Sequence, residues 1–371
     1  MRKTFEYRVH PTAKQEHLLS QMLEECRWVF NQTLALRKDT WEQEQKSISL
    51  YATNAFLPKW KQERISLAMV YSQVLQDVQE RVDLAFQGFF RRIKAGEAPG
   101  YPRFRGKGRY DSLTYPQFGF SLQDGTVKAA KIGEIKAVIH RPIEGKVKTL
   151  TLRRHSTGKW YASFNCEVEP LPLPFSEKAV GIDVGLESFA TLSTGEKVAN
   201  PRFFRQGEKA LARAQRKLSA VEKGTPERKH RRKVVSHIHE RIANKRKDFA
   251  HKLSHRLVNE YGIIAFEKLN GKGMLKNHCL AKSIADAAWF QLISFTVYKA
   301  EWANRSVVLV DPRNTSKRCS CCGSLVDKDL SVRIHNCPCC GLVIDRDLNA
   351  SFNILALGLQ SLGLVPRSPG L

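Results

Sequence analysis

The residues best suited to chemistry lie near the end of the chain. Two Cys-x-x-Cys-Gly turns occur at residues 319–323 and 337–341. Tetrahedral zinc takes four thiolates from two such short turns, so this spacing predicts a four-cysteine zinc site. The carboxylate-rich segment Asp345-Arg-Asp347-Leu-Asn349 follows directly. Because four cysteines already fill the zinc shell, these oxygen ligands indicate a separate site for a hard cation such as magnesium.

Two further carboxylates stand in apolar stretches that read as buried strands. Asp183 follows Val180-Gly-Ile, and Glu267 ends the run that begins at Tyr261. An unpaired charge in such a place costs several kcal/mol, so a compensating partner is expected. With an acid at the start of the last helix, the set fits two magnesium ions about 4 Å apart that activate water against a phosphodiester. Three independent structural acids remain the alternative on the residues alone.

The composition indicates what the chain binds. It has 371 residues, with 61 Lys+Arg against 36 Asp+Glu and a formal net charge of +25. An excess of this size predicts a polyanionic partner, because neutralised phosphates release counterions. No long apolar span, signal peptide or lipidation motif is evident. Six of the nine cysteines cluster in the zinc region, which indicates a reducing, cytoplasmic location.

The first half contains one helical and one strand-rich stretch. Residues 3–9 alternate like a strand, and Thr12 with Gln15 forms a capping-box start for helices reaching about residue 95. From about 120 to 170 the period is two, with a hairpin around residues 156–159. We expect a small antiparallel barrel that the first strand completes.

The second half alternates strands and helices, which favours an α/β layer. A very basic helical pair is expected over residues 203–260, broken near Gly224-Thr-Pro226. A helix around 284–304 should lead to a strand at 306–310, and the final helix should begin near Asp347. Residues 366–369 read as a loose tail.

Several motifs resemble the TnpB family of insertion-sequence proteins, the compact relatives of type V CRISPR effectors. In the first half they are Tyr7-Arg-Val-His-Pro11, Phe89-Phe-Arg-Arg-Ile-Lys94 and Gly100-Tyr-Pro-Arg-Phe-Arg105. In the second half they are Gly181-Ile-Asp183-Val-Gly185, Thr315-Ser-Lys-Arg-Cys319 and Asp345-Arg-Asp347-Leu-Asn349-Ala-Ser-Phe-Asn353. The resemblance runs from end to end.

The resemblance implies a multidomain α/β protein with β-barrel and helical parts. Its RNase H-like RuvC nuclease carries a zinc-ribbon insert, and its N-terminal OB-like wedge barrel is interrupted by a helical recognition domain. The expected segments are 1–11 and 106–172 for the wedge barrel, 12–105 for the recognition domain, 173–312 and 344–371 for the nuclease with its final helix and tail, and 313–343 for the zinc-binding insert.

The resemblance also assigns roles to the acids and cysteines. It implies that Asp183, Glu267 and Asp347 are catalytic magnesium ligands and that Asp345 assists or caps the helix. Cys319, Cys322, Cys337 and Cys340 become the ligands of a structural zinc, with Cys321 and Cys339 in doubt. Arg333 is a candidate for approaching the scissile phosphate. From its place after the strand that ends at Val310, Asp311 could be a fourth acid, but a strand-end turn is favoured.

The implied partners are a guide RNA from the element end and double- and single-stranded target DNA. Backbone contacts are expected from the basic helical pair, although a solvated helix face is the plain alternative. The candidates are Lys229, Arg231, Arg232, Arg241, Lys245 and Arg246.

A short flanking DNA motif is read in this family by the helices and barrel of the first half. Gln can bond adenine through two hydrogen bonds, which makes Gln76 a candidate reader. Ser72, Gln73, Tyr115 and Gln117 fall at matching places, and each could equally be an ordinary surface residue.

We therefore expect an RNA-guided DNA endonuclease of a transposable element, using magnesium, a structural zinc and a guide RNA. A monomer with one RNA, in the nucleoid-associated cytoplasm of a prokaryote, is expected. The alternatives are a guide-RNA-dependent DNA-binding repressor and a transposition accessory, both without cleavage. The guide sequence, flanking motif and cut pattern do not follow from the sequence.

Overall fold

The computed structural model describes residues 1–329 and 332–364, with Lys272 described by its backbone alone. The chain divides into two compact units, Met1–Glu169 and Pro170–Leu371. The tail predicted at 366–369 lies outside the described residues. No helix in the described part of the chain is long and apolar enough to cross a membrane.

The first unit contains one antiparallel sheet of seven strands. These are β1 (Arg2–His10), β2 (Ser112–Tyr115), β3 (Phe120–Gln123), β4 (Thr126–Ala129), β5 (Gly133–Val138), β6 (Lys146–Arg154) and β7 (Trp160–Glu167). Their order is β2-β6-β7-β1-β5-β4-β3. The first strand joins this sheet, as predicted, and lies at its centre between β7 and β5; the β6–β7 hairpin is confirmed.

The antiparallel barrel predicted for this unit is a half-barrel. In the described part of the unit, the edge strands β2 and β3 form no ladder with one another. They are consecutive in the chain, and the hydroxyl of Tyr115 at the end of β2 donates to the carbonyl of Ala130 beyond β4. A core side chain, not a strand pair, therefore spans that side of the sheet.

The helices of the first unit are α1 (Ala13–Glu44), α2 (Leu50–Asn54), α3 (Leu57–Glu63) and α4 (Ser72–Lys94), with a 3-10 turn at Ile65–Met69. The capping box is present: Thr12 accepts from the Gln15 N–H, and Gln15 accepts from the Thr12 N–H. Leu19, Met22 and Cys26 on α1 recur at helical spacing and are buried, so the apolar stripe predicted for this helix faces the core.

The second unit contains a mixed sheet of five strands. These are β8 (Ala179–Asp183), β9 (Ser188–Leu192), β10 (Lys197–Ala199), β11 (Ile263–Glu267) and β12 (Ser306–Val310), in the order β10-β9-β8-β11-β12. Strands β8, β11 and β12 are parallel, whereas β9 and β10 are antiparallel to their neighbours. The central strands β8 and β11 read as apolar runs and are buried along their middle residues, as expected for strands covered on both faces, whereas the edge strand β12 is partly exposed.

The helices of this unit are α5 (Phe203–Ser219), α6 (Pro226–Glu260), α7 (Gly271–Met274), α8 (Ala281–Ala287), α9 (Trp289–Trp302) and α10 (Arg346–Ser361), and a small ladder joins β13 (Ile334–Asn336) to β14 (Val343–Asp345). The basic pair and its break are confirmed as α5 and α6. The single helix predicted over 284–304 is wrong. Ala288 adopts φ 56°, a left-handed conformation that divides the segment into α8 and α9.

Small residues allow α10 to lie directly on the sheet. Gly181 on β8 is the register partner of Ala265 on β11. A Cβ added at Gly181 would meet the Ser351 carbonyl and lie 2.6 Å from the Leu355 nitrogen, and one added at Gly358 would lie 2.7 Å from the Ala265 Cβ. The helix backbone thus approaches the strands too closely for larger side chains, which fixes where its first turn lies.

Candidate metal centres

Asp183 and Glu267 lie side by side at the carboxyl ends of two neighbouring parallel strands. Ile182 pairs with Phe266, so the next residues along β8 and β11 are these two acids. Side chains alternate along a strand, so they share the face of Gly181 and Ala265, against which α10 packs. Asp347 lies in the first turn of α10, one helical turn before Ser351, whose carbonyl covers Gly181.

The electrostatics of Asp183 show how tightly the negative charge is gathered. The pKa of its carboxyl is raised from 3.8 to about 8, chiefly by burial and then by the neighbouring Glu267 and Asp347 carboxylates, while Arg346 opposes the shift. Burial likewise raises the pKa of Glu267. Two adjacent carboxyls thus resist ionisation, which is the effect that a bound divalent cation would reverse.

Asp347 is held by two arginines. Its Oδ1 accepts from Arg346 Nε at 3.1 Å and Nη2 at 3.0 Å, and its Oδ2 lies 4.0 Å from Arg333 Nη1. Arg333 also pairs with Glu187 at 3.1 Å. The family-based candidate Arg333 therefore lies beside a candidate acid.

Asp345 caps α10. Its Oδ1 accepts from the backbone N–H groups of Asp347 and Leu348, both at 3.0 Å, and its Oδ2 accepts from Lys197 at 2.7 Å. Burial alone would raise the pKa of Asp345, but these donors hold it below its usual range. With both oxygens engaged, this carboxylate holds the helix start that carries Asp347.

Asp311 lies outside this cluster. Its exposed carboxylate is engaged by Arg313, which lowers its pKa. This is the strand-end turn that the sequence favoured over a fourth acid.

Thr315 and two asparagines of α10 support Glu267, and none of them was predicted from the sequence. The buried Thr315 donates its hydroxyl to Glu267 Oε1 at 2.5 Å. Asn353 Nδ2 donates to the Thr315 and Arg318 carbonyls at 2.8 and 2.7 Å, and Asn349 Nδ2 donates to the same Arg318 carbonyl at 2.8 Å. The available signal was the spacing of two asparagines four apart on α10, which places both amides on one face.

The four cysteines of the predicted zinc set converge. The Sγ atoms of Cys319, Cys322, Cys337 and Cys340 all lie within 4.8 Å of one another. Cys319 and Cys340 are 3.6 Å apart, and Cys322 and Cys337 are 3.5 Å apart. A tetrahedral ion with bonds of about 2.3 Å needs sulfur separations of about 3.8 Å, so the donor set fits zinc.

The two knuckles are the same turn built twice. Gly323 donates to the Cys319 carbonyl at 3.0 Å, and Gly341 donates to the Cys337 carbonyl at 2.9 Å. Both glycines have positive φ, 77° and 72°, which residues with a side chain rarely adopt. Cys321 and Cys339 are exposed and lie outside the converging set.

The acids are spaced more loosely than the thiols. Within residues 1–329 and 332–364, the cysteine quartet is the only set of three or more such ligand atoms closing to within 4.8 Å. The Asp347 carboxylate is turned toward Arg346, whose guanidinium supplies positive charge beside Asp183 as well. Hard oxygen donors with surplus negative charge suit magnesium.

The nucleic-acid candidates on α6 differ in their availability. Lys229, Arg232, Arg241 and Lys245 are exposed. Arg231 pairs with Glu227 at 2.6 Å. Arg246 is half-buried and donates to the Ala285 carbonyl at 2.8 Å, which ties α6 to α8. The structure therefore gives Arg246 a packing role that the sequence analysis did not foresee.

Four of the five flanking-motif candidates lie at or near the surface of the first unit. Ser72, Gln76 and Gln117 are exposed, and Gln73 accepts from the Phe118 N–H at 3.4 Å. Tyr115 is only 1% exposed. A buried ring with its hydroxyl engaged has no surface to offer DNA, so the expectation of a direct contact from Tyr115 is corrected here.

Three family models match successive parts of the chain. Residues 163–278 match the OrfB model of IS605 elements, described as "Probable transposase". Residues 289–354 match "Cas12f1-like, TNB domain", and residues 1–46 match "Helix-turn-helix domain". In the structure that last segment forms one strand and one long helix, β1 and α1.

Similar proteins extend over nearly the whole length. A "Putative RNA-guided DNA endonuclease" of Streptomyces pristinaespiralis is 39% identical, with 97% of this chain and 90% of the relative covered. The "Putative RNA-guided DNA endonuclease InsQ" of Escherichia coli K12 is 31% identical, with 96% and 92% covered.

The fold is shared with a solved structure. A chain of a Cas12f1–sgRNA–target DNA complex matches with a TM-score of 0.60 at 14% identity, covering 95% of this chain and 98% of that one. Both curated relatives match over nearly the whole of this chain. This chain belongs to the TnpB (OrfB) family.

Proposed function

We propose that this protein is an RNA-guided DNA endonuclease that cuts target DNA beside a short flanking motif by magnesium-dependent phosphodiester hydrolysis. The observation that carries the proposal is the placement of Asp183 and Glu267 on adjacent parallel strands beneath the first turn of α10, which bears Asp347. Family membership and the charge of +25 support a nucleic-acid substrate.

The assignment of domains follows the same reasoning. We assign the mixed sheet with α10 to an RNase H-like RuvC nuclease over residues 173–312 and 344–371, with a zinc-ribbon insert at 313–343. The half-barrel segments 1–11 and 106–172 would form the wedge, and residues 12–105 the recognition helices.

Asp183, Glu267 and Asp347 would hold the catalytic magnesium. When bound, such ions supply an activated water and stabilise the leaving oxygen of the phosphodiester. The chain supplies the positions: the two strands fix Asp183 and Glu267, Asp345 caps the helix that bears Asp347, and Arg333 lies beside Asp347. No covalent enzyme intermediate is required.

The four thiolates of Cys319, Cys322, Cys337 and Cys340 would hold zinc with no open position, which is the arrangement of a structural site. Zinc would therefore fix the fold of the insert and take no part in hydrolysis.

The RNA and the paired target strand would be held through backbone contacts by the exposed basic residues of α6. We retain Lys229, Arg232, Arg241 and Lys245 for this role, with Arg231 available if its exposed pair with Glu227 opens, because such pairs are weak. Ser72, Gln73, Gln76 and Gln117 remain candidates for reading the flanking motif. The work would take place in the cytoplasm, at the nucleoid, with one RNA per chain.

The decisive experiment uses a plasmid library with a randomised flank beside a guide-matched target. The protein is co-expressed with RNA from its own locus, and cutting is scored with and without magnesium. Guide- and magnesium-dependent cutting that Asp183→Ala abolishes, with one flank enriched among cut plasmids, is the expected result.

Two other outcomes would contradict the proposed cleavage. Guide-dependent retention of the target without cutting would favour a repressor. If the target is neither cut nor retained, RNA guidance is contradicted and the role of a transposition accessory remains.

A further inference from the structure

The segment between β12 and the first zinc knuckle returns to Glu267. After Val310 the chain turns through Asn314, which has φ 63°, and brings Thr315 back beneath the end of β11. Thr315 is 4% exposed, and its hydroxyl donates to Glu267 Oε1 at 2.5 Å, with the Pro312 carbonyl as a second acceptor at 3.1 Å. A buried hydroxyl so placed has a defined partner.

This hydrogen bond engages one oxygen of the carboxylate and leaves the other. Glu267 Oε2 has no hydrogen-bond partner among the described residues, while Oε1 is held by Thr315. Holding Oε1 restricts the orientation of the whole carboxylate, which lies at the end of β11 beside Asp183 at the end of β8. Partners of this kind orient metal ligands and commonly change metal affinity 10- to 100-fold when removed.

Thr315 is itself fastened to the helix that carries Asp347. Asn353 donates to the Thr315 carbonyl at 2.8 Å, and Asn349 accepts from the Ser320 N–H at 2.9 Å. Both asparagines are buried. The segment 315–320 is therefore bonded to Glu267 at one end and to α10 along its length, and it also contains Cys319.

We propose that Thr315 is a positioning residue that orients Glu267 for metal binding, and that Asn353 keeps Thr315 in place. The inference rests on the proposed function, since it assumes that Glu267 is a metal ligand. Thr315, which lies between β12 and the first zinc knuckle, thereby becomes part of the support of the acid site.

The test is a titration of the RNA-free full-length chain with Mn²⁺, reading free Mn²⁺ by electron paramagnetic resonance. Binding that Asp183→Ala retains is subtracted as background. We compare Thr315→Val, which removes the hydroxyl, with Thr315→Ser, which keeps it. Thr296→Val is the matched control, because Thr296 is also fully buried but its hydroxyl bonds only the Leu292 carbonyl of its own helix.

The expected result is at least a tenfold weaker Mn²⁺ affinity for Thr315→Val, with Thr315→Ser and Thr296→Val within about twofold of the unmodified chain. Asn353→Ala should weaken binding several-fold, and it serves as the second variant if Thr315→Val does not fold. The magnesium concentration for half-maximal cleavage should shift in parallel.

The outcomes that overturn the inference are distinct from failure of the proposed function. Unchanged affinity in Thr315→Val, no rescue by Thr315→Ser, or an equal loss in Thr296→Val would each overturn the positioning role. If the unmodified chain and Asp183→Ala bind Mn²⁺ equally, the acid site itself is wrong, and the inference falls with it.

Discussion

The acid site and the cysteine site lie in one unit but are built in opposite ways. The cysteines come from two copies of one local turn, and their sulfur atoms already lie at separations that suit a tetrahedral ion. The acids come from two strands and a helix separated by about 80 residues at each step, and their carboxyls repel one another. One site is therefore preformed by local geometry, and the other is imposed by the fold against an electrostatic cost.

The difference has an energetic consequence. Removing a thiolate from the zinc set should cost stability, because the ion stabilises the folded insert. Removing a charge from the acid set should gain stability in the absence of metal, because it relieves repulsion and desolvation. Substitution of a zinc ligand should therefore lower stability together with function. Substitution of an acid should abolish function but raise the stability of the metal-free chain.

The largest expected effect is on cleavage at the acid site. Asp183→Asn should lower the cleavage rate at least 10³-fold, about 4 kcal/mol, because a carboxylate ligand is lost. In EDTA the same variant should melt at a higher temperature than the unmodified chain. Measuring both properties on one preparation checks the opposite signs, and a variant that loses both activity and stability would contradict them.

At the cysteine site the expected effect is on stability. Cys337→Ser should lose the zinc and lower the melting temperature by more than about 5 °C, whereas Cys339→Ser, from the same knuckle, should change neither. Zinc content by mass spectrometry and thermal melting provide the measurement. Loss of zinc from Cys339→Ser, or its retention in Cys337→Ser, would show that the ligand set is wrong.

A third variant tests whether the fold imposes the acid geometry. Gly181→Ala places a Cβ against the Ser351 carbonyl and the Leu355 nitrogen, so α10 must move. We expect a loss of about 2–4 kcal/mol in stability and about 10²-fold in cleavage, since Asp347 moves with the helix. Gly88→Ala, on a helix with no heavy atom within 4 Å of the added carbon, is the control.

The last expected effect, which is spread gradually over several pH units, is the pH dependence of stability in the metal-free chain. The pKa of Asp183 is raised from 3.8 to about 8, so between these values the folded chain keeps a proton that the unfolded chain has released. The free energy of unfolding should therefore fall as pH rises through this window, by up to about 1.4 kcal/mol per pH unit. The stability advantage of Asp183→Asn should grow correspondingly.

Chemical denaturation in EDTA at pH 5, 6 and 7 measures this change, and comparison with the variant cancels other titrating groups. A difference between the two chains that stays constant over this range would contradict the proposed environment of Asp183.

The same comparison explains how much could be predicted from sequence. The cysteine spacing and the apolar runs around Asp183 and Glu267 are local signals, so the turns and strands were predictable. The left-handed residue Ala288 and the packing roles of Tyr115 and Arg246 depend on neighbours distant in sequence. The role of Thr315 was not predictable for the same reason, since its partner Glu267 lies at the end of β11, distant in sequence.

The most direct test of the acid site is an anomalous diffraction experiment on crystals soaked in Mn²⁺, with data collected at the manganese and zinc edges. We predict a manganese peak bounded by Asp183, Glu267 and Asp347, and a separate zinc peak among Cys319, Cys322, Cys337 and Cys340. A zinc peak without manganese density at the three acids, under conditions that support cleavage, would contradict the assignment of the catalytic metal site.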